Sequence, residues 1–262
     1  LKGPLEEAKQ KVKKQFGQSA EQYVTSRTHS TGKDLAILTE WLQLKPDSVV
    51  LDIATGGGHT AKALAPHAAH IFATDLTVEM LAAAKRHLNQ SADNIFYVAA
   101  DAENLPFLPD TFDAVTCRIA AHHFPNPEAF VQEVVRVLKP GGQFILIDNI
   151  APEDNVLDSF VNRLESLRDH SHVRSYTVSE WKKWLGESGV SVVKEEIRKK
   201  TLGYPEWVRR TTSSPEQIQE VDAHLLSADL SISSYFSIQA EKKEIQSFTI
   251  DEWMAMSQKA KK

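Results

Sequence analysis

The sequence predicts an α/β fold: a doubly wound, mostly parallel sheet of seven strands, with helical insertions that form a lid. Three observations carry that expectation. Short apolar runs alternate with amphipathic stretches from Ser48 to Asp148. The runs are continuous in hydrophobicity, as strands are when helices cover both faces of a sheet. The first run ends in Gly56-Gly57-Gly58, directly before a helical stretch, so a tight backbone turn sits where such sheets bind ligands.

The elements follow in order. An N-terminal helical stretch breaks at Lys45-Pro46-Asp47, and Ser48 to Ile53 forms the first strand. His59 to Leu64 starts a helix that Pro66 limits. His70 to Asp75 reads as the second strand and Thr77 to Leu88 as a helix, with Thr77 placed to cap it. Asn94 to Ala100 and Phe112 to Cys117 make strands three and four. Phe130, Val131, Val134, Val135 and Leu138 recur at helical spacing from Pro127 to Leu138. Lys139-Pro140-Gly141-Gly142 stops that helix, and Gln143 to Asp148 is strand five.

Beyond Asp148 the rhythm changes. Glu153 to Arg168 predicts a long amphipathic helix, and Ser179 to Glu187 a second one capped by Ser179. Val190 to Lys199 and Gln246 to Met256 read as the last two strands, with helical segments around Pro205–Arg210 and Pro215–Leu230 between them. The expected organisation is one domain over 1–262. Residues 1–45 form an N-terminal helical lid, 46–150 a ligand-binding core, and 151–262 the inserted helices and last two strands.

Composition bounds the function. The 262 residues carry 30 Lys+Arg and 35 Asp+Glu, a net charge of −5, which gives no general pull toward nucleic acid or anionic membrane. One cysteine excludes an internal disulfide framework and a multi-cysteine zinc site, and no metal is expected. No apolar run reaches the roughly 18 residues of a membrane span, and the first residues lack a signal-peptide stretch. The expectation is a cytoplasmic protein. The whole net charge falls between Lys45 and Ile150. Lysines gather near the ends (Lys9, Lys11, Lys13, Lys14; Lys259, Lys261, Lys262) and read as solvated tails.

Gly56-x-Gly58-x-x-Ala61 also matches a dinucleotide turn, and Asp75 follows at roughly the 20-residue spacing of its ribose ligand. An NAD(P)-dependent oxidoreductase is therefore open on the glycines alone. Three carboxylates tilt the balance. Asp52 ends strand one, Asp75 ends strand two and Asp101 follows strand three. A carboxylate at Asp52 suits a cationic group better than a pyrophosphate. The three fit a ligand with ribose, adenine and a cationic amino-acid moiety.

At four places the chain resembles the class I S-adenosylmethionine-dependent methyltransferases, in the branch of the UbiE-like quinone-biosynthesis C-methyltransferases. The residues are Leu51-Asp52-Ile53-Ala54-Thr55-Gly56-Gly57-Gly58, Ala73-Thr74-Asp75-Leu76-Thr77-Val78-Glu79-Met80-Leu81, Asp101-Ala102-Glu103-Asn104-Leu105-Pro106-Phe107 and Leu138-Lys139-Pro140-Gly141-Gly142. Phe16 to Tyr23 extends the likeness more loosely, and it fades after about Val190. The resemblance implies a Rossmann-like fold and S-adenosyl-L-methionine as cofactor. It implies that Asp52, Thr55, Gly56 and Gly58 face the methionine part, and that Asp75 holds the ribose. Leu76 and Met80 would flank the adenine, and Asp101 and Ala102, with Glu103 beside them, would meet its amino edge. Arg118 would border the methionine part, and Tyr23 and Arg27 would reach its carboxylate from the lid. Ala54 departs from the family, which commonly has glycine there, and adds a methyl beside the cofactor.

The implied chemistry is methyl transfer to a small-molecule acceptor by C- or O-methylation. A quinone-like or other aromatic or isoprenoid compound is one such acceptor. His122 and His123 follow strand four as a base or an orienting group, against a packing role for either. Asp148 and Asn149 end strand five near them, and Arg174 either contacts a substrate or pairs with an acid. Trp181 and Trp184 suggest an apolar acceptor pocket, although tryptophans more often build the core. Cys117 reads as a buried small side chain. No Asx-Pro-Pro-aromatic motif follows strand four and no basic groove is evident, which argues against nucleic-acid substrates. The oligomeric state is open. A non-catalytic S-adenosylmethionine-binding protein would keep the same carboxylates.

Overall fold

The computed structural model describes residues 3–24, 32–88 and 92–261, and within its first helix no side chain at 18, 19 or 21–24. Two helices, α1 (Pro4–Val24) and α2 (Lys33–Leu42), precede the sheet. Then come β1 (Val49–Ile53), α3 (His59–Leu64), β2 (His70–Asp75), α4 (Val78–Leu88) and β3 (Ile95–Ala99). β4 (Phe112–Arg118), α5 (Pro127–Val137) and β5 (Leu138–Ile150) complete the alternating half.

The strand order is β3-β2-β1-β4-β5, continued by β8 (Glu244–Lys259) and β6 (Val190–Gly203). The first five strands are parallel, and β8 runs antiparallel to both of its neighbours. β1 pairs with β2 on one side and β4 on the other, so the order reverses at the carboxyl end of β1. The crevice that a reversal leaves is where open α/β sheets take ligands. This is the Rossmann-like arrangement expected from the sequence.

The continuous apolar strands are buried from both sides. Leu51, Val115, Cys117, Phe144 and Trp253 pack with Phe130, Val134 and Trp181 on one face. Val50, Ile71, Ala114, Ile145 and Met254 pack with Leu38, Trp41, Leu64 and Leu88 on the other. Residues alternating along one strand thus serve two cores. Asn126 caps α5 by accepting from Ala129 N at 3.0 Å.

Several details differ from the sequence reading. The Lys139–Gly142 segment does not separate helix from strand: β5 begins at Leu138, opposite Phe112, and a register shift absorbs the proline and glycines. The helix α7 (Val178–Glu187), which follows α6 (Asn155–Arg168), is capped by Thr177, not Ser179. Thr177 Oγ1 accepts from Glu180 N at 3.2 Å while Glu180 accepts from Thr177 N at 2.8 Å, a reciprocal box. An eighth strand, the three-residue β7 (Gln239–Glu241), pairs with β8. Lys259 is no solvated tail: its ammonium donates to Asp110 and to the carbonyls of Val135 and Leu138.

The last two long strands are longer than hydrophobic patterning revealed. β8 passes the end of β5 at Ile150↔Asp251 and continues toward Glu244, paired with β6 up to Gly203↔Ser247. At about 3.4 Å per residue this arm extends roughly 20 Å past the parallel sheet. Its apolar face, with Leu202, Phe248 and Ile250, carries a third core together with Phe160, Trp207 and Phe236. Those side chains come from α6, from α8 (Tyr204–Arg209) and from the end of α10 (Leu230–Tyr235), with α9 (Pro215–Leu226) alongside. Among the described residues no helix is long and apolar enough to cross a membrane.

Gly58 precedes α3 at φ +79°, and a Cβ there would meet Leu88 Cδ1 at 2.5 Å. Gly58→Ala is expected to cost about 1–3 kcal/mol, the sum of left-handed strain and overpacking. Urea unfolding of both proteins measures it, and an unchanged midpoint would show that the turn relaxes freely.

Candidate active site

The carboxyl ends of β1, β2, β3 and β4 bound one cleft, and α1 closes it from above. It encloses about 1020 Å³ of non-protein space, part of it open to solvent. Asp52, Ala54, Thr55, Gly56, Asp75, Leu76, Met80, Asp101, Ala102, Glu103 and Arg118 all line it. Gly58 does not: its hydrogens face Leu88 and Ala84, so its part is to let α3 pack against α4. Tyr23 stands in the last turn of α1, but its side chain lies outside the described residues, as does all of Arg27.

Asp52 is buried within β1, with 1% of its surface exposed. Its Oδ2 accepts from Thr55 Oγ1 at 2.6 Å and its Oδ1 from Thr116 Oγ1 at 2.7 Å. Burial outweighs these bonds and raises its pKa to about 6. Asp75 accepts from Gly56 N at 3.1 Å and Thr77 N at 2.9 Å, and desolvation raises its pKa to about 6 as well. The glycine turn is thereby tied to the end of β2 through a carboxylate. Thr77 contributes its backbone amide to this knot.

Asp101 and Glu103 share a cation that sequence reasoning assigned to a tail. Lys9 Nζ lies 2.6 Å from Asp101 Oδ2 and 2.5 Å from Glu103 Oε2. Burial works against the ammonium, but the two carboxylates outweigh it and raise its pKa. The other oxygens are also used: Asp101 Oδ1 accepts from Glu103 N, and Glu103 Oε1 from Asn126 N. Arg118 pairs through Nε with Asp34 of α2, whose pKa falls despite its burial. Lys9 and Arg118 therefore tie both N-terminal helices to the cleft.

Two backbone positions on the wall are strained. Ala54 has φ 52° and Ile119 φ 53°. The left-handed region disfavours a side chain, and for β-branched isoleucine it is an outlier. The family glycine at position 54 is explained by this angle more than by room for a ligand. Ile119 N donates to Ile147 O, which holds the strained turn against β5.

Ile119 also lines a second, adjoining cavity of about 620 Å³, shared with Phe16 and His123. The two histidines differ in role. His123 faces both cavities, edge-on to the Phe16 ring at 5.0 Å between centroids. Its Nδ1 bonds the Ser171 carbonyl at 2.9 Å and so carries the hydrogen. Burial and the neighbouring His122 push its pKa down to about 4. His122 lines only the second cavity. Its Nδ1 lies 2.6 Å from Asp148 Oδ1, and its backbone N–H donates to Asp148 Oδ2. Burial disfavours its charge, but Asp148 prevails and raises its pKa. Of the pair, His122 is the stronger base.

Asn149 lines the second cavity, while Asp148 stays behind His122. Trp181 and Trp184 line neither cavity: Trp181 is buried against Phe130 and Tyr176. The tryptophan on the wall is Trp207. Arg174 pairs with Asp158 at 2.6 Å. Cys117 is buried in β4 as expected. Lys9, Ile119 and Trp207 carried no local signal, since none lies in a motif and the fold alone gathers them, whereas Phe16 opens the loosely matching stretch from Phe16 to Tyr23.

Folding raises the Asp52 pKa above its ordinary 3.8. The folded chain therefore tolerates the neutral carboxyl below that value and loses stability as pH rises through about 6. Asp52→Asn is expected to stabilise the unliganded protein by about 1–3 kcal/mol near pH ~8 and by far less near pH ~4. Denaturant titrations at the two pH values read this difference directly, and an equal effect at both would refute it.

The methyltransferase-domain family model matches residues 51–146, the stretch that holds these strand ends. The uncharacterized methyltransferase YcgJ of Bacillus subtilis is 38% identical over 213 residues, covering 80% of this chain and 83% of its own. The crystal structure of YcgJ superposes with a TM-score of 0.83 over 87% of this chain and 98% of its own, at 33% identity. The Bacillus halodurans protein BH2331 gives 0.85 at 40% identity, over 87% of this chain and all of its own. Demethylmenaquinone methyltransferase of Clavibacter sepedonicus is 39% identical over 103 residues, which is 39% of this chain and 42% of that protein. The cleft at the sheet's reversal point and relatives aligned over most of their length agree: the chain belongs to the class I S-adenosylmethionine-dependent methyltransferase family.

Proposed function

We propose that this chain transfers a methyl group from S-adenosyl-L-methionine to a small-molecule acceptor, acting as one catalytic domain over 1–262. The observation that carries the reading is the set of carboxylates around one cleft: Asp52, Asp75, Asp101 and Glu103. A pyrophosphate would meet four acids there, and the Gly56 amide already donates to Asp75. A nicotinamide dinucleotide fits this wall poorly. A ligand with ribose hydroxyls, an adenine amino group and a cationic centre fits it well.

When bound, S-adenosylmethionine supplies a methyl group already activated on a sulfonium. The chain's own work is then binding, alignment and exclusion of water. Asp75 has lone pairs left to accept from ribose hydroxyls, and Leu76 and Met80 offer apolar flanks for the adenine. Asp101 and Ala102 meet its amino edge, with Lys9 setting how far the Asp101 carboxylate can turn. Asp52 holds negative potential at the far end of the cleft. The α1 helix roofs the cleft through Val12 and Phe16.

A protonated nucleophile on the acceptor needs a base. With Nδ1 engaged by Asp148, His122 keeps Nε2 to take that proton, and the carboxylate favours the imidazolium that results. Neutral His123 is the weaker base and suits an orienting hydrogen bond. Both O- and activated C-methylation can use this pair. Quinone-related relatives such as the demethylmenaquinone methyltransferase support an aromatic acceptor.

Calorimetry with S-adenosylmethionine and its demethylated product tests the cofactor, with NADH and NADPH as controls. Binding of both the cofactor and its product is expected, and of neither nicotinamide. Asp75→Ala should weaken it by about 10–100-fold, or about 1.4–2.8 kcal/mol. Nicotinamide binding instead would overturn the reading. A labelled-methyl screen on cell extract should yield a methylated small molecule, and His122→Gln should lower that yield more than His123→Gln does. The reverse order would exchange their roles.

A further inference from the structure

The two cavities that meet at His123 are lined by opposite charge. On the cleft wall, acids outnumber the two cations Lys9 and Arg118. Among the described residues on the wall of the second cavity, Arg168, Lys200 and Arg210 face a single carboxylate, Asp169. Two of these cations have partners that stand behind them. Arg168 is held by Glu165 at 2.9 Å and Lys200 by Glu252 at 2.9 Å, and neither acid is on the cavity wall. Glu252 also takes Arg198 at 2.9 Å, so that cluster keeps one positive charge in excess. Asp169 is occupied by Ser171, which donates to it from both N and Oγ.

Apart from these groups and His122, His123 and Asn149, the wall is apolar. Leu202, Trp207 and Ile250 are buried there, and Phe16 closes the side toward the cleft. The Arg168 guanidinium carbon lies 4.4 Å from the centre of the Trp207 ring, a cation–π contact. A neutral hydrocarbon in this space would strip water from three cationic side chains and offer them no hydrogen-bond acceptor. An oxyanion would meet them with charge-assisted hydrogen bonds.

We propose that the second cavity is the acceptor subsite and that the acceptor is a small organic oxyanion, an aromatic or apolar body ending in a carboxylate or phosphate. Lys200 and Arg210 bind the anionic end, Arg168 and Trp207 bind the body beside it, and the nucleophilic end lies toward His122 and His123. The assignment rests on the methyltransferase reading and narrows its acceptor. A neutral isoprenoid chain is not the ligand these side chains serve.

The test uses the full chain saturated with S-adenosylhomocysteine. Benzoate, phenyl phosphate and the neutral isostere benzamide are titrated by calorimetry and ligand-observed NMR. At least one anion is expected to bind about tenfold or more tightly than benzamide, and the comparison of the two anions tells carboxylate from phosphate. Lys200→Gln and Arg210→Gln should each erase about tenfold of that preference, while Arg210→Lys retains most of it. Lys200→Gln leaves Glu252 paired with Arg198, which guards the fold. Equal binding of benzoate, phenyl phosphate and benzamide overturns the proposal. So does no anion binding at millimolar concentration, or a preference that survives both glutamine variants. S-adenosylhomocysteine affinity is measured in the same samples and should not change in the variants. Its failure to bind would count against the methyltransferase reading alone, because the anion preference can be read without it.

Discussion

Asp52 sits inside β1 with almost none of its surface exposed, and the hydroxyls of Thr55 and Thr116 donate to it. A buried carboxylate without a cation in contact is costly. The central strand, the glycine turn and β4 all converge on it to supply those hydroxyls. Asp75 repeats the pattern one strand over, with backbone amides in place of hydroxyls. The carboxyl end of the sheet is thus arranged around two acids, one buried and one half-buried, which a cationic ligand would relieve. The same feature that weakens the unliganded fold favours binding, as expected where function and stability compete.

The second organising feature is the separation of charge across His123. Acids dominate one side and basic side chains the other, with Ile119 and Phe16 shared between them. A cationic donor and an anionic acceptor would each be drawn to its own side and would meet at the histidines. The strained Ile119 turn lies at this meeting point, where stored backbone strain commonly marks a site whose surroundings over-determine it. The arm of β6 and β8 makes the basic side possible. It carries Lys200, Leu202 and Ile250 beyond the parallel sheet, and α6 and α8 bring Arg168 and Trp207 to meet them.

Much of the parallel half was legible in the sequence because it is locally encoded. Its strands are short apolar runs, its helices have one apolar stripe, and its motifs place Asp52, Asp75 and Asp101 at strand ends. Legibility fell where pairing overrides patterning. The strand read as ending at Lys199 runs on to Gly203, an extension that follows from bonding to β8 and not from its own residues. Ser179 and Thr177 are both sound caps by type, and the choice between them was made by Glu180. Of the two roles weighed for Trp181 and Trp184, Trp181 proved to be core with Trp184 half-buried against it, while Trp207, in a short helix without strong periodicity, reached the wall.

By itself the sequence determined the fold class, the order of the alternating elements and the acidic residues of the cleft, because strand periodicity and turn chemistry act between near neighbours. Tertiary structure alone decided which side chains face each other across it. Lys9 meets Asp101 and Glu103 over a separation of more than ninety residues. His122 takes Asp148, and Arg168, Lys200 and Arg210 gather from three separate elements. Such encounters depend on how helices and long strands pack over the sheet, and no local pattern records the packing of one distant segment on another.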